Sequence, residues 1–157
     1  MLDPSDFRHP VCHDCRFVLW QNPKPSVEAL IVRTRRGTPE ILLGRRASQP
    51  QVGLWDLPGG FLNSGEMPEA ALVRECEREV GVRVRVGELI CAVTDKFLDS
   101  HIISLCYLCE PEFGDARPVD IIDTVQWFPV ARPPDGLAFE GVREALAALQ
   151  RWLGTAR

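Results

Sequence analysis

Gly59-Gly60-Phe61-Leu62-Asn63-Ser64-Gly65-Glu66, continued by Met67-Pro68-Glu69-Ala70-Ala71-Leu72-Val73-Arg74-Glu75-Cys76-Glu77-Arg78-Glu79-Val80-Gly81-Val82, is the stretch on which the reading of this chain turns. Pro68 suits a first helical position, where its missing N–H has no intrahelical partner. Ala70, Leu72, Val73, Cys76 and Val80 then recur at helical spacing, and Gly81 is a C-terminal stop. On such a helix Glu75 and Glu79 project the same way, about 6 Å apart along the axis. Like charges so placed destabilise a helix by about 0.2–0.5 kcal/mol unless something positive lies between them. Mg²⁺ or Mn²⁺ would serve, because hard cations take carboxylate oxygens. The Gly59-Gly60 pair permits tight turning, so that a main-chain carbonyl can add a further oxygen. Arg74, beside Glu75, is placed to pair with Glu66 and tie the loop to the helix.

Outward from this helix, Ser26–Thr34 and Glu40–Arg46 read as a strand pair, with a turn in Arg36-Gly37-Thr38-Pro39. Leu54–Leu57 reads as a short strand that ends in a loop at Pro58-Gly59-Gly60. Val82–Val93, His101–Cys109 and Thr124–Phe128 are further strand candidates. Leu137–Leu153 closes the chain as an amphipathic helix, with Phe139, Val142, Leu146, Leu149 and Leu153 on one stripe. One helix in the middle and one at the end predict an α/β fold, a mixed β-sheet covered by helices on both sides. Residues 1–25 are polar and Pro-punctuated and read as an irregular N-terminal segment; residues 26–157 form the main domain.

The 157 residues suit one globular domain, and 45% hydrophobic with 25% charged residues excludes a disordered chain. Residues 1–50 carry 8 basic and 5 acidic side chains, whereas residues 51–157 carry 10 and 17. The acidic excess argues against nucleic acid as a partner, since that affinity comes from neutralising phosphates. No apolar run reaches the roughly 20 residues of a membrane span. The start, Met1–Asp6, lacks the basic and apolar regions of a signal peptide, so the protein is read as cytoplasmic with reduced thiols.

For an arbitrary Glu-x-x-x-Glu a solvated helix face is the ordinary reading. Here the surrounding run resembles the Nudix box, Gly-x5-Glu-x7-Arg-Glu-U-x-Glu-Glu-x-Gly-U, with U aliphatic. Gly60, Glu66, Arg74, Glu75, Glu79, Gly81 and Val82 match, and Cys76 stands at the first aliphatic position. Six fixed letters in register arise by chance at about 10⁻⁷ per starting position, from average residue frequencies. The resemblance implies a Nudix-type α/β/α sandwich and a divalent-metal-dependent hydrolase that cleaves the pyrophosphate of a nucleoside diphosphate linked to another moiety. It implies Glu75 and Glu79 as metal ligands with the Gly59 carbonyl, and Glu66 and Arg74 as the pair that holds them. One departure stands out: the first Glu of the family's Glu-Glu pair is Arg78. Arg78 either competes with the metal for Glu75 or turns its guanidinium to substrate phosphate. A domain silenced by Arg78 would instead be a nucleotide-binding sensor.

Cys12-x-x-Cys15, Trp20–Pro25, Leu42–Arg46 and Gly53–Gly60 extend the likeness to a Nudix subgroup with an N-terminal zinc ribbon, which includes NADH and FAD pyrophosphatases. ADP-ribose is a further candidate substrate; the Ser-Gln-Pro-Trp stretch of the NADH enzymes is absent. Structural zinc takes four ligands, and only Cys12 and Cys15 are in place, with His9 and His13 nearby, so a metal-free remnant of a ribbon is favoured over a Zn²⁺ site. Cys106 and Cys109, three apart on a strand, face opposite sides. Arg46 stands where the resembling enzymes often present a cation to phosphate. Phe61, Trp20, Trp55, Phe97 and Tyr107 are the aromatics considered for base stacking, against a core role. The general base is open between one of the box glutamates and a later acid, Glu110, Glu112, Asp120 or Asp123, with His101 a weaker candidate. The implied partner is a small nucleotide, and pairing into a homodimer rests on family analogy alone.

Overall fold

The computed structural model describes residues 10–20 and 22–155. Seven strands and two helices follow in the order β1 (Lys24–Arg35), β2 (Thr38–Arg46), β3 (Trp55–Asp56), β4 (Gly59–Phe61), α1 (Pro68–Val80), β5 (Arg83–Phe97), β6 (Ser100–Phe113), β7 (Ile122–Pro129) and α2 (Glu140–Thr155). The strands form one mixed sheet in which β1 is the central element. Its first half pairs parallel with β6 and antiparallel with β4, and its last residues pair antiparallel with β2. β2 carries β3 and β7, and β5 pairs with β6 as a long antiparallel hairpin.

Alternation along β1 divides the core. Val27, Ala29 and Ile31 pack with Ala71, Leu72, Cys76 and Val80 of α1. Leu30, with Ile41 and Leu43 of β2, packs with Val142, Ala145, Leu146 and Leu149 of α2. The period of two in the strand thus serves a helix on each face. Cys106 lies in the α2 cluster and Cys109 in the α1 cluster, as three-residue spacing on a strand requires. α1 ends at Gly81, whose φ of 68° is left-handed and whose N–H donates to the Cys76 carbonyl.

Three local expectations change. Gly59-Gly60 reads as loop, yet Gly59–Phe61 forms β4 against Ser26–Glu28. At Gly59 a Cβ would lie 2.1 Å from the Val27 carbonyl oxygen, so the absent side chain is what lets the two backbones meet. The last helix begins at Glu140 rather than Leu137, because Leu137 bridges Trp55 and Ala138 donates to the Trp55 carbonyl at 2.8 Å. Within the N-terminal segment, read as irregular, Val11 pairs with Val18 across a tight turn at Cys12–Arg16. Among the described residues no helix is long and apolar enough to cross a membrane.

Leu72 is fully buried in the α1 cluster and fixes the helix that carries the two glutamates. Leu72→Ala is expected to lower unfolding free energy by about 2–5 kcal/mol, read as a shift of the urea midpoint at unchanged slope.

Candidate active site

The apolar stripe of α1 is interrupted by two acids. Glu75 and Glu79 lie among Ala71, Leu72, Cys76 and Val80 on the buried face, each only 4% exposed. Their carboxylates meet β4. The Gly59 N–H donates to Glu79 Oε2 at 3.1 Å. A Cβ at Gly60 would lie 2.8 Å from Glu75 Cδ, so a side chain there would push this carboxylate from its place.

Arginines complete the arrangement. Arg74 NH2 and Nε bind the two oxygens of Glu66 at 2.7 Å each, and its NH1 binds Glu75 Oε1. Glu66 also accepts the Asn63 N–H at 2.9 Å, so one carboxylate ties the β4–α1 loop to the helix. The Arg74 guanidinium holds the Glu66 carboxyl well below its ordinary range, at about 2. Arg78 reaches Glu75 Oε2 through Nε at 2.7 Å, Glu79 Oε1 through NH2 at 3.2 Å, and Asp120 through NH1.

Gly59, Gly60, Arg74, Glu75, Arg78 and Glu79 line a cavity of about 340 Å³. Three acids that the sequence reading passed over join them: Glu28 from β1, Asp56 from β3 and Asp95 from β5. Glu28 shares its strand face with Ser26, whose hydroxyl lies 2.6 Å from that of Ser104. An acid at an inward position of an otherwise apolar strand was the available signal for Glu28; Asp56 and Asp95 gave none without tertiary structure. Burial, then the charges of Asp56 and Glu79, push the Glu28 carboxyl well above its ordinary value. Burial likewise raises Asp56 and lifts Glu79 to about 7. Acids that raise one another's pKa in a shared cavity mark a place suited to positive charge.

The cavity's other wall is apolar. Phe61 packs edge-on against Phe97 with centroids 5.7 Å apart, and Phe97 against Phe139 at 6.2 Å. Phe139 was not among the aromatics considered from sequence. Trp55 instead packs edge-on against Phe128, Tyr107 packs against the α1 cluster, and exposed Trp20 does not line this cavity. Arg46 lines the cavity at 6% exposure, with NH1 on Asp56 Oδ2 at 2.7 Å, Nε on the Pro50 carbonyl at 2.7 Å, and its guanidinium carbon 5.3 Å from the Phe139 centroid. Of the later acids only Asp120 reaches the α1 carboxylates, through Arg78; Glu110 pairs with Arg85, Asp123 with Arg45, and His101 and Glu112 do not line the cavity.

The donor set fits a hard divalent cation. Carboxylate oxygens of Glu75, Glu79 and Glu28 and a glycine main chain are the ligand types such ions take. Among the described residues no three His, Cys, Asp or Glu side chains are gathered as a ligand set, and Arg74 and Arg78 hold both oxygens of Glu75. At the other end of the chain Cys12 and Cys15 are exposed at the tip of the 10–19 turn. The backbone N–H groups of Cys15 and Asp14, with the Cys15 thiol, hold the Cys12 thiol below its ordinary pKa. His9, considered as a zinc ligand, lies outside the described residues.

The chain matches the family described as NUDIX domain over residues 22–149. An ADP-ribose pyrophosphatase of Methanocaldococcus jannaschii is 29% identical over 127 residues, which span 80% of this chain and 72% of that protein. A NAD-capped RNA hydrolase NudC of Chromobacterium violaceum is 32% identical over 124 residues, 78% of this chain but only 44% of the longer relative. A MutT NUDIX hydrolase of Burkholderia pseudomallei superposes with a TM-score of 0.71 at 30% identity, covering 81% of this chain and 98% of that structure.

The electrostatics give a stability profile. Glu79, ordinarily near 4.5, titrates near 7 in the folded chain, so between these values the native state binds more protons than the unfolded state. Stability therefore falls as pH rises from about 4.5 to about 7, and it is fully present only below that window. Glu28 acts in the same direction. In metal-free buffer, urea unfolding of the wild type should weaken across this range. Glu79→Gln should flatten the slope, and an unchanged slope would count against a strained Glu79.

Proposed function

On the premise that the chain belongs to the NUDIX family and is a Nudix pyrophosphohydrolase, we propose that it cleaves the pyrophosphate of a nucleoside diphosphate linked to a second moiety, in a Mg²⁺- or Mn²⁺-dependent reaction in the cytoplasm. The burial of Glu75 and Glu79 in the apolar stripe of α1, facing the Gly59-Gly60 backbone inside the cavity, carries this reading. Glu75, Glu79 and the Gly59 carbonyl would hold the cation. When bound, it neutralises phosphate charge and lowers the pKa of attacking water.

The remaining work falls to side chains of this chain. Glu66 and Arg74 fix the β4–α1 loop to the helix, and with it the separation of Gly59 from Glu75 and Glu79. Arg78, with its side chain 42% exposed, offers a guanidinium to a phosphate oxygen pair. Arg46, pinned to Asp56, contributes its charge from within the wall. Phe61, at 39% exposure, gives a nucleobase an apolar face, and Phe97 backs it. ADP-ribose leads the substrate list: the M. jannaschii relative is named for it. FAD and NADH share its ADP half. Residues 26–157 form the hydrolase domain, to which residues 1–25 are appended as a remnant of a zinc ribbon.

A second reading has an observation of its own. Arg78 grips both site carboxylates, as an internal cation would in a nucleotide sensor. The two readings separate on one panel: ADP-ribose, FAD, NADH and a dinucleoside polyphosphate, each with Mg²⁺, with Mn²⁺ or with chelator, followed by release of AMP. Metal-dependent AMP release is expected, and Glu79→Gln should reduce turnover by about 10²-fold or more with an intact circular-dichroism spectrum. Unchanged turnover in Glu79→Gln would overturn the metal assignment. No turnover on any substrate, with tight ADP-ribose binding by calorimetry, would establish the sensor.

A further inference from the structure

Arg78 spans a boundary. Its side chain is 42% exposed, while those of Glu75 and Glu79 are 6% and 5% exposed and that of Asp120 is 43%. One guanidinium therefore touches two buried carboxylates and one that faces solvent. Nε and NH2 go to Glu75 at 2.7 and 2.5 Å and NH2 to Glu79, whereas NH1 alone goes to Asp120. With Arg74 on Glu75 Oε1, both oxygens of Glu75 are held by cations. A divalent ion that used Glu75 and Glu79 would meet this guanidinium at close range, and like charges at such separations in a partly buried site repel strongly. The ion and Arg78 thus compete for one place.

The position of Asp120 is fixed by main chain. The segment between β6 and β7 docks on the last turn of α1, with Arg117 N–H on the Val80 carbonyl and Val119 N–H on the Glu79 carbonyl, each at 3.0 Å. From the other side the Ala47 N–H binds the Ile121 carbonyl at 2.7 Å, and the Ile122 N–H closes a turn on Val119 at 3.1 Å. Asp120 stands between these anchors with a left-handed φ of 52°, which Asp adopts more readily than most residues. Its main chain is thus a fixed post, and its carboxylate meets Arg78 next to the cavity-lining Ile121. Were the guanidinium to leave Glu75 and Glu79, NH2 could join NH1 on the same carboxylate. One hydrogen bond to Asp120 then becomes two, in the bidentate geometry that suits a guanidinium.

We propose that Asp120 is a positioning residue that draws Arg78 off the Glu75–Glu79 pair, so that a divalent cation can enter where the guanidinium now lies. The proposal rests on the reading of Glu75 and Glu79 as the cation site. Asp120 itself needs no contact with cation or substrate. It stabilises the displaced position of Arg78 more than the gripping one, and that difference appears as metal affinity. In the displaced position Arg78 remains at the cavity, paired and oriented for a phosphate oxygen.

The test is a double-mutant cycle on Mn²⁺ affinity, read from the electron paramagnetic resonance signal of free Mn²⁺ at 0.15 M ionic strength, with no turnover involved. Arg78→Gln is expected to tighten Mn²⁺ binding about tenfold, and Asp120→Asn to weaken it about fivefold. In the Arg78→Gln background, Asp120→Asn should change affinity by less than about twofold, since Asp120 acts through the arginine. An equal loss in both backgrounds would overturn the proposal and leave Asp120 a plain contributor to the local field. Tighter binding in Asp120→Asn would overturn it in the other direction, with Asp120 clamping Arg78 onto the glutamates. If neither wild type nor Arg78→Gln binds Mn²⁺ in a way that Glu79→Gln abolishes, the cation site itself falls and the proposal with it. The half-exposed positions of Arg78 and Asp120 keep the two single variants and their double folded, with a cooperative urea transition of unchanged slope as the control for these and for Glu79→Gln.

Discussion

Two carboxylates buried one helical turn apart set the terms for the rest of the molecule. Glu75 and Glu79 share a stripe with Ala71, Leu72, Cys76 and Val80, so α1 cannot turn them to water without exposing its apolar anchor. The hydrophobic packing that attaches the helix to the sheet thus aims the charges inward. Desolvation of an ionised carboxylate is costly, and the structure answers with donors on each side. Gly59 supplies an N–H, Arg74 and Arg78 supply guanidinium groups, and β4 comes within reach because residues 59 and 60 have no side chains. A motif spread over twenty-odd residues is, physically, one solution to holding two charges inside an apolar helix face.

The cavity extends that solution to a ligand with two unlike ends. On one side are Glu28, Asp56, Glu75 and Glu79, met by Arg46, Arg74 and Arg78. On the other, Phe61, Phe97 and Phe139 form a chain of edge and tilted ring contacts beside Val93, Ile102 and Val142. β5 and α2 contribute to the apolar side, and the two are fastened together where Asp95 accepts the Gly141 N–H at 2.8 Å. A carboxylate at the first turn of a helix is also favoured by the helix dipole, so the same contact stabilises α2 and closes the pocket wall. Charge on one wall and ring faces on the other suit a molecule with a phosphate end and an aromatic end.

The parts legible from sequence are those that local chemistry determines. Pro68 and Gly81 bound α1, the apolar spacing fixes its buried face, and the Glu66–Arg74 pair follows from loop length and charge. The alternation along β1 and the length of the closing helix carry the sandwich. Other features depend on partners distant in the chain. Gly59-Gly60 has the composition of a loop and becomes a strand only because Ser26–Glu28 lies beside it. Residues 137–139 carry the helical apolar pattern but precede the helix, where Leu137 bridges Trp55 of β3 and the Ala138 N–H binds the Trp55 carbonyl. Glu28, Asp56 and Asp95 sit on three separate strands, and no spacing rule connects them.

The same distinction separates the two arginines that the sequence offered to a phosphate. Both line the cavity and both are paired, yet their surroundings differ. Arg46 has a side chain 8% exposed, bound to an aspartate, a carbonyl oxygen and the vicinity of an aromatic ring. Removing it from that setting would leave Asp56 buried without its counter-charge, at a cost of about 3–5 kcal/mol. It is therefore a fixed element of the wall, and its charge reaches a ligand only through space. Arg78 is bound as often, but half of it lies in solvent and one of its partners, Asp120, does too. The Arg78–Asp120 pair, exposed at both ends, contributes about 0–1 kcal/mol, while the buried carboxylates of Glu75 and Glu79 need a counter-charge that an incoming cation would supply in place of the guanidinium. Mobility at this site follows from burial: the guanidinium able to move is the one water can reach, and it is the one lying between the two acids that α1 cannot turn away.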